Sequence, residues 1–396
     1  MITGDSQDQV KQVEVFVVDL SQDKPYLGNL REGESVNESG YLVRKGNRTV
    51  YPVKNRSLVV RVETRDGVVG WGETYGLVAP KATAEIINDL LAGFVLGRDP
   101  FHVEGIHDDL YDLMRVRGYT GGFYHDAIAA LDIALWDIAG KIRGISVAEL
   151  AGGRQRNSIL AYVSGLPEDT LAERCELARS WQERGFNSFK FALPVADEGA
   201  VEEIKELRHA LGEDALISAD LHWCLTASDA IALADEMAPF HPWFLEAPVA
   251  PEDVQALEEV AARSGQQIAA GEEWRTLFEA RLRIDQKACH IVQPEMGHTG
   301  ITEFLRIGRY AEACGLSVIP HATIGSGIFL AASLQATAAL IRATKHEYQH
   351  SVFGPFRHFT GDSLTCEQGA FSVIDAPGIG VEPSDAMLKA MTQIPA

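Results

Sequence analysis

From about residue 158 onward the chain alternates a short apolar run with a helical run, and few folds accept that pattern. Strand-like runs fall at 158–164, 188–193, 215–221, 243–248, 267–272, 290–295, 317–321 and 346–352. Helical patterns fill the intervals, among them 171–184, 201–211, 227–237, 254–264 and 301–314. Eight strand-then-helix units define an α/β architecture, either a (β/α)8 barrel or a doubly wound sheet. No GxGxxG follows the first of these strands, which argues against the dinucleotide-binding version.

The part before this repeat reads differently. Runs at 13–20, 57–64 and 68–75 have strand character, the last two joined by the turn signal Arg65-Asp66-Gly67. Helical patterns follow at about 81–95, 101–115 and 122–141. Strands followed by helices, without alternation, predict an α+β domain over 1–150. The barrel-like repeat then spans 151–354, and a non-alternating tail, 355–396, is expected to return to the first domain. A polar stretch of about 21–55 separates the first two strands and carries Tyr26, Tyr41 and Tyr51. A loop this long is usually a lid or a disordered segment, and its aromatic content favours a lid.

Composition narrows the function. A length of 396 residues suits about two domains. A formal net charge of −21 repels phosphate backbones, so nucleic acid is not an expected partner. Cys175, Cys224, Cys289, Cys314 and Cys366 are scattered and form no CxxC pair, which fits a reducing cytoplasm. The start, MITGDSQDQVKQ, has no apolar core of a secretion signal, and no run of eighteen apolar residues would span a membrane.

The strand ends carry the chemistry. Ile217-Ser-Ala-Asp220, Trp243-Phe-Leu-Glu246 and Ile268-Ala-Ala-Gly-Glu272 each finish an apolar run with a carboxylate. Ile291-Val-Gln-Pro-Glu295 gives another, Val318-Ile-Pro-His321 gives a histidine, and His346-Glu347 closes the series. The steps are 26 (220 to 246), 26 (246 to 272), 23 (272 to 295), 26 (295 to 321) and 26 (321 to 347), one unit each. In a barrel all these ends converge on one mouth. Any single carboxylate there reads better as a helix N-cap or loop residue. Three together would repel one another unless a cation sat between them, and hard oxygen ligands suit Mg²⁺. Glu272 and Glu273 point to opposite sides of a strand, and Glu272 is taken as the ligand because it directly follows the glycine.

The chain resembles the mandelate racemase/muconate lactonizing enzyme subgroup of the enolase superfamily over nearly its whole length. The resemblance rests on Asp66-Gly-Val-Val-Gly-Trp-Gly-Glu73, on Ala134-Leu-Trp-Asp137 before Gly140-Lys141, and on the strand ends above. It implies a (β/α)8-type barrel, a modified TIM barrel, beneath an α+β capping domain. It also implies one Mg²⁺ per subunit on Asp220, Glu246 and Glu272. The carboxylate–histidine dyad would be Glu295 and His321, and the subunit would join a homo-oligomer, from dimer to octamer. Two positions depart from the family pattern. Where the family commonly has Lys-x-Lys, this chain has Lys190-Phe191-Ala192, and Glu295 stands where the family usually has Asp.

The chemistry implied is removal of a proton α to the carboxylate of a small-molecule substrate. With the second lysine gone, His321 is the strongest base. One histidine can take the α-proton and then protonate a departing β-hydroxyl on the same face. The expected reaction is therefore dehydration of an aldonic or aldaric acid to a 2-keto-3-deoxy acid. An epimerase, racemase or lactone cycloisomerase is the alternative. Lys190 would neutralise the substrate carboxylate or pair with a ligand carboxylate. Glu347, if protonated, would donate a hydrogen bond to the substrate. His222, Arg56 and Tyr162 are candidate substrate-binding residues, and Arg275 and His298 lie just beyond strand ends.

Overall fold

The computed structural model describes residues 8–20, 28–45, 47–321 and 324–396. Five strands come first: β1 (Val10–Leu20), β2 (Tyr41–Val43), β3 (Val50–Pro52), β4 (Asn55–Thr64) and β5 (Val69–Tyr75). Eight more build the barrel. They are β6 (Ser158–Ser164), β7 (Ser188–Ala192), β8 (Leu216–Asp220), β9 (Leu245–Glu246), β10 (Ile268–Ala270), β11 (Ile291–Val292), β12 (Ser317–Val318) and β13 (Lys345–Gln349). Three short strands end the chain: β14 (Cys366–Glu367), β15 (Ala370–Ser372) and β16 (Met391–Ile394).

The N-terminal sheet is antiparallel in the order β16-β1-β4-β5. Gly67, at φ 82°, supplies the left-handed residue that the β4–β5 turn needs. The helix Phe123–Arg143 lies against β5, with every residue from Tyr124 to Gly140 buried. Its approach to the sheet depends on Gly70 and Gly72. A Cβ at either would collide with the carbonyls of Ala134 and Ala130. Asp137 of this helix accepts from Trp71 N at 3.0 Å and Ile379 N at 2.9 Å, and pairs with Lys141 at 2.7 Å. Burial pushes its pKa up to about 6 in spite of Lys141. The Ala134-Leu-Trp-Asp137 motif is thus a staple between helix, sheet and C-terminal segment.

The α/β half is a barrel rather than a doubly wound sheet. Its parallel strands run β6 through β12 in order, and β13 pairs with β6. Glu347 N donates to Pro320 O at 3.3 Å where β13 and β12 meet. A helix follows each strand, although the last, His350–Phe356, is only a short one. The eighth strand therefore stops at Gln349, short of the expected 352. Tyr162, Phe244, Ala269, Ile291 and Ile319 fill the barrel interior. The tail first adds the β14–β15 hairpin to the foot of β6, and only then reaches β1.

Two features join the halves at the barrel mouth. Glu73, buried on β5, accepts from Phe329 N at 3.0 Å and from Ser57 Oγ and Ser326 N, so it caps the helix Ile328–Ala339. Burial raises its pKa against those bonds. In the long segment, Leu42 and Tyr51 of the β2–β3 hairpin pack on Ala192 and Val195 at the end of β7. Arg31 pairs with Asp197 at 2.5 Å, and Asn29 donates to Asp169 at 3.0 Å. Tyr26, with the rest of 21–27 and Gly46, lies outside the described residues. Among the described residues no helix is long and apolar enough to cross a membrane.

Candidate active site

Register explains why the strand ends meet. Ala192 pairs with Asp220, and Asp220 pairs with Glu246, so neighbouring strands finish at one level. The backbone turns left-handed beside each carboxylate: at His222 and Trp223 after Asp220, at Ala247 after Glu246, and at Gly271 before Glu272. Non-glycine residues in that region store strain, which collects where a site must be shaped. The mouth opens into a cavity of ≈ 440 Å³ lined by Lys190, Asp220, His222, Glu272, Glu295, His321 and Glu347, among others.

Lys190 is committed. Its Nζ lies 2.7 Å from Glu246 Oε1 and 2.9 Å from Glu347 Oε1, with all three side chains buried. Burial alone would lower the lysine pKa, but Glu246 and Glu347 raise it well above the ordinary value. Lys190 is therefore held in two ion pairs at the barrel mouth. Glu347 responds in the opposite sense. Burial would raise its pKa, yet Lys190, His321 and Ser164 bring it down to about 2. Glu347 is thus an ion-paired carboxylate, an acceptor rather than the donor it would be if protonated.

Glu246 takes a second bond from Gln293 Nε2 at 2.6 Å. Burial still drives its pKa well up, with Asp220, Glu347 and Glu272 adding repulsion that Lys190 only partly offsets. Asp220 accepts from His222 N at 3.0 Å, and His222 Nε2 stands 3.0 Å from its other oxygen. His222 Nδ1 in turn meets Asn47 Nδ2 at 3.0 Å, and that amide also donates to Tyr51 Oη at 2.8 Å. His222 is thus on the cavity wall, tied both to the carboxylate cluster and to the β2–β3 hairpin.

His321 is held between acids. Its Nδ1 is 2.7 Å from Glu295 Oε2, and its Nε2 is 2.9 Å from Glu272 Oε2. Burial would lower its pKa, but Glu272, Glu347 and Glu295 raise it well above 6.5. Glu272 Oε2 is buried without a properly aimed hydrogen bond. Ligand atoms of Glu246, Glu272 and His321 all lie within 4.8 Å of one another. Asp220 and Glu272 act to raise the pKa of Glu246, and Asp220 acts to raise that of Glu272; such mutually repelling carboxylates fit a hard divalent cation.

Two expected substrate contacts are displaced. Arg56 Nη2 donates to Tyr41 Oη at 2.8 Å and is not on the cavity wall. It belongs to a β4 position directed at the β2–β3 hairpin rather than at the mouth. Tyr162 is buried in the barrel interior, edge-on to Trp243 and Phe244, with Lys190 Nζ 5.7 Å from its ring. It points inward as alternation requires, but one layer below the cavity, where Ser164 stands instead.

Residues 173–387 match the profile described as Enolase C-terminal domain-like, and residues 47–152 match the mandelate racemase/muconate lactonizing enzyme N-terminal domain. The chain belongs to the mandelate racemase/muconate lactonizing enzyme branch of the enolase superfamily. Within the superfamily it is 32% identical to D-galactarolactone cycloisomerase of Agrobacterium fabrum, covering 82% of this chain and 88% of that protein. It is 31% identical to D-galactonate dehydratase of Xanthomonas euvesicatoria pv. vesicatoria, covering 88% and 94%. A solved structure of an enolase-superfamily member from Agrobacterium tumefaciens is 56% identical, with a TM-score of 0.96, covering 98% of this chain and all (100%) of that one. The chain is accordingly an enzyme of the enolase superfamily.

Sequence reasoning missed Gln293, Asn47 and Asp126. Gln293 sits two residues before Glu295, on the same side of its run, which was a usable signal. Asn47 and Asp126 reach the site from the N-terminal domain, and no spacing within the barrel repeat announces them. Asp126 Oδ1 lies 3.1 Å from Arg275 Nε and 2.7 Å from His298 Nδ1.

Proposed function

We propose that this enzyme removes the α-proton of a sugar acid and expels the β-oxygen, so that an aldonic or aldaric acid loses water and becomes a 2-keto-3-deoxy acid. The observation that carries this reading is the asymmetry of the cavity's bases. His321 is oriented by Glu295, while Lys190 is locked into two ion pairs and Ala192 replaces the second lysine.

Asp220, Glu246 and Glu272 would hold Mg²⁺, with His321 beside them. When bound, the ion would supply positive charge to Glu272 and to the substrate carboxylate. Glu295 accepts from His321 Nδ1–H and so fixes the tautomer that leaves Nε2 as the base. Nε2 takes the α-proton, and the C–H electron pair becomes the enediolate of the substrate. That pair then forms the C2–C3 double bond as the C3–O bond breaks. His321 returns the proton to the leaving oxygen, and water departs. The enol product tautomerises to the keto acid. The β2–β3 hairpin, with Thr49, Val50, Tyr51 and Pro52 on the cavity wall, would act as a lid that keeps bulk water out.

Cycloisomerisation of a sugar-acid lactone is the second reading, supported by the likeness to D-galactarolactone cycloisomerase. The same histidine would remove the same kind of proton, and the leaving oxygen would be that of the ring. A panel of aldonic acids, aldaric acids and their lactones, incubated with the enzyme and Mg²⁺, separates the two by mass spectrometry. Loss of one water from an open-chain acid supports dehydration. A product of unchanged mass formed only from lactones replaces it with cycloisomerisation.

A further inference from the structure

The cavity has a second polar group that the elimination chemistry does not use. Arg275 and His298 lie three residues beyond Glu272 and Glu295, and both are on the wall. Asp126, from the helix Phe123–Arg143 of the N-terminal domain, holds them together through one oxygen. Arg275 Nη1 is spent on Glu273 O at 2.9 Å. Nη2 of Arg275 and Nε2 of His298 have no hydrogen-bond partner among the described residues. Tyr75 stacks on the His298 ring at 4.7 Å with an interplanar angle of 29°. Gly297 permits that stack, because a Cβ there would meet the Tyr75 ring at 2.9 Å.

A buried aspartate in a cavity wall is expensive unless it orders something. Here it orders the Arg275 guanidinium, whose Nη2–H has no acceptor among the described residues, and the His298 ring beside it. Among the described wall residues Arg275 is the one guanidinium, and a guanidinium suits a planar carboxylate. Apolar Leu77, Val78, Phe123 and Ile324 also line the cavity, which strengthens a charged contact made between them.

We propose that Arg275, aligned by Asp126 and flanked by His298, receives a second carboxylate, so that the substrate is a dicarboxylic (aldaric) acid rather than a monocarboxylic (aldonic) one. This rests on the sugar-acid reading above and narrows it. Asp126 and His298 are positioning residues, and Arg275 makes the contact.

Calorimetry on the Mg²⁺-loaded enzyme tests this without needing turnover. Galactarate and galactonate differ only in whether C6 is a carboxylate, so their affinities are compared directly. The expected result is about 10- to 100-fold tighter binding of galactarate, the range for charge-assisted bonds. Arg275→Met and His298→Asn should each weaken galactarate binding more than galactonate binding and so erode that preference, and Arg275→Lys should restore part of it. Equal wild-type affinities, no binding of either acid, or variants that weaken both acids alike would overturn the proposal. The last pattern would make Arg275 a structural residue, which the melting temperature of each variant checks. If galactarate binds in this Arg275-dependent way but no acid is converted, the elimination reading fails and the subsite stands. If both acids are converted equally well by wild type and Arg275→Met, the reverse holds.

Discussion

His321 Nδ1 and Glu295 Oε2 meet at 2.7 Å across the ends of two adjacent barrel strands, and the other glutamate oxygen accepts from Gly297 N at 2.9 Å. Both oxygens of a fully buried carboxylate are therefore fixed, and the imidazole is fixed with them. The glutamate side chain reaches the ring with that bond made.

Glu295→Gln keeps the shape and removes the charge that selects the tautomer. It should lower kcat about 10²- to 10⁴-fold, the range for a general base, with an unchanged circular dichroism spectrum. Glu295→Asp should retain more activity than Gln. A Gln variant within about threefold of wild type would detach Glu295 from the chemistry.

Cation binding should stabilise the fold. At Mg²⁺ concentrations about 100 times Kd the expected gain is about 2.7 kcal/mol, seen as a higher Tm. Glu272→Gln and Glu246→Gln should each weaken calorimetric Mg²⁺ affinity at least tenfold and shrink that gain, since each removes a ligand oxygen and a charge. An unaltered Tm response in both variants would place the ion elsewhere.

Gly72→Ala tests the contact between sheet and helix. The added methyl would run into the Ala130 carbonyl, which is main chain and has nowhere to go. A loss of about 1–3 kcal/mol or more in urea unfolding is expected from overpacking. Gly93→Ala, where open space surrounds the new methyl, should lose nothing by the same measurement.

His346 should make the fold acid-sensitive. It is buried, with Nε2 2.7 Å from Ser333 Oγ and Nδ1 donating to Glu347 O at 2.7 Å. Burial lowers its pKa from 6.5 to about 4. The folded state thus favours neutral imidazole. Its contribution is complete above about pH 6.5 and is lost as pH falls towards 4, about 2 kcal/mol of it between pH 7 and 5. Urea unfolding of wild type and His346→Gln at those two pH values measures this. Equal slopes of stability against pH would remove His346 from the account.

Much of the site was legible because a barrel repeats. One strand and one helix per unit make a step of 26 or 23 residues carry spatial meaning, so Asp220, Glu246, Glu272, Glu295, His321 and Glu347 could be brought to one mouth from sequence. Alternation placed Lys190 facing inward for the same reason. What alternation lacks is depth, and Tyr162 was misjudged by one layer. Arg56 failed differently: it belongs to an antiparallel sheet whose relation to the barrel no repeat encodes. Asn47 and Asp126 were invisible for that reason too. The charge state of Glu347 depended on Lys190 choosing both Glu246 and Glu347, a choice made by geometry alone.

The most direct test follows the α-hydrogen of a sugar acid that the wild-type enzyme converts with Mg²⁺. Proton NMR in D₂O would record its loss and the appearance of a 2-keto-3-deoxy product, for wild type and for His321→Asn. The expected result is conversion by wild type and none above background by His321→Asn, although that variant stays folded. Undiminished conversion by His321→Asn would contradict it.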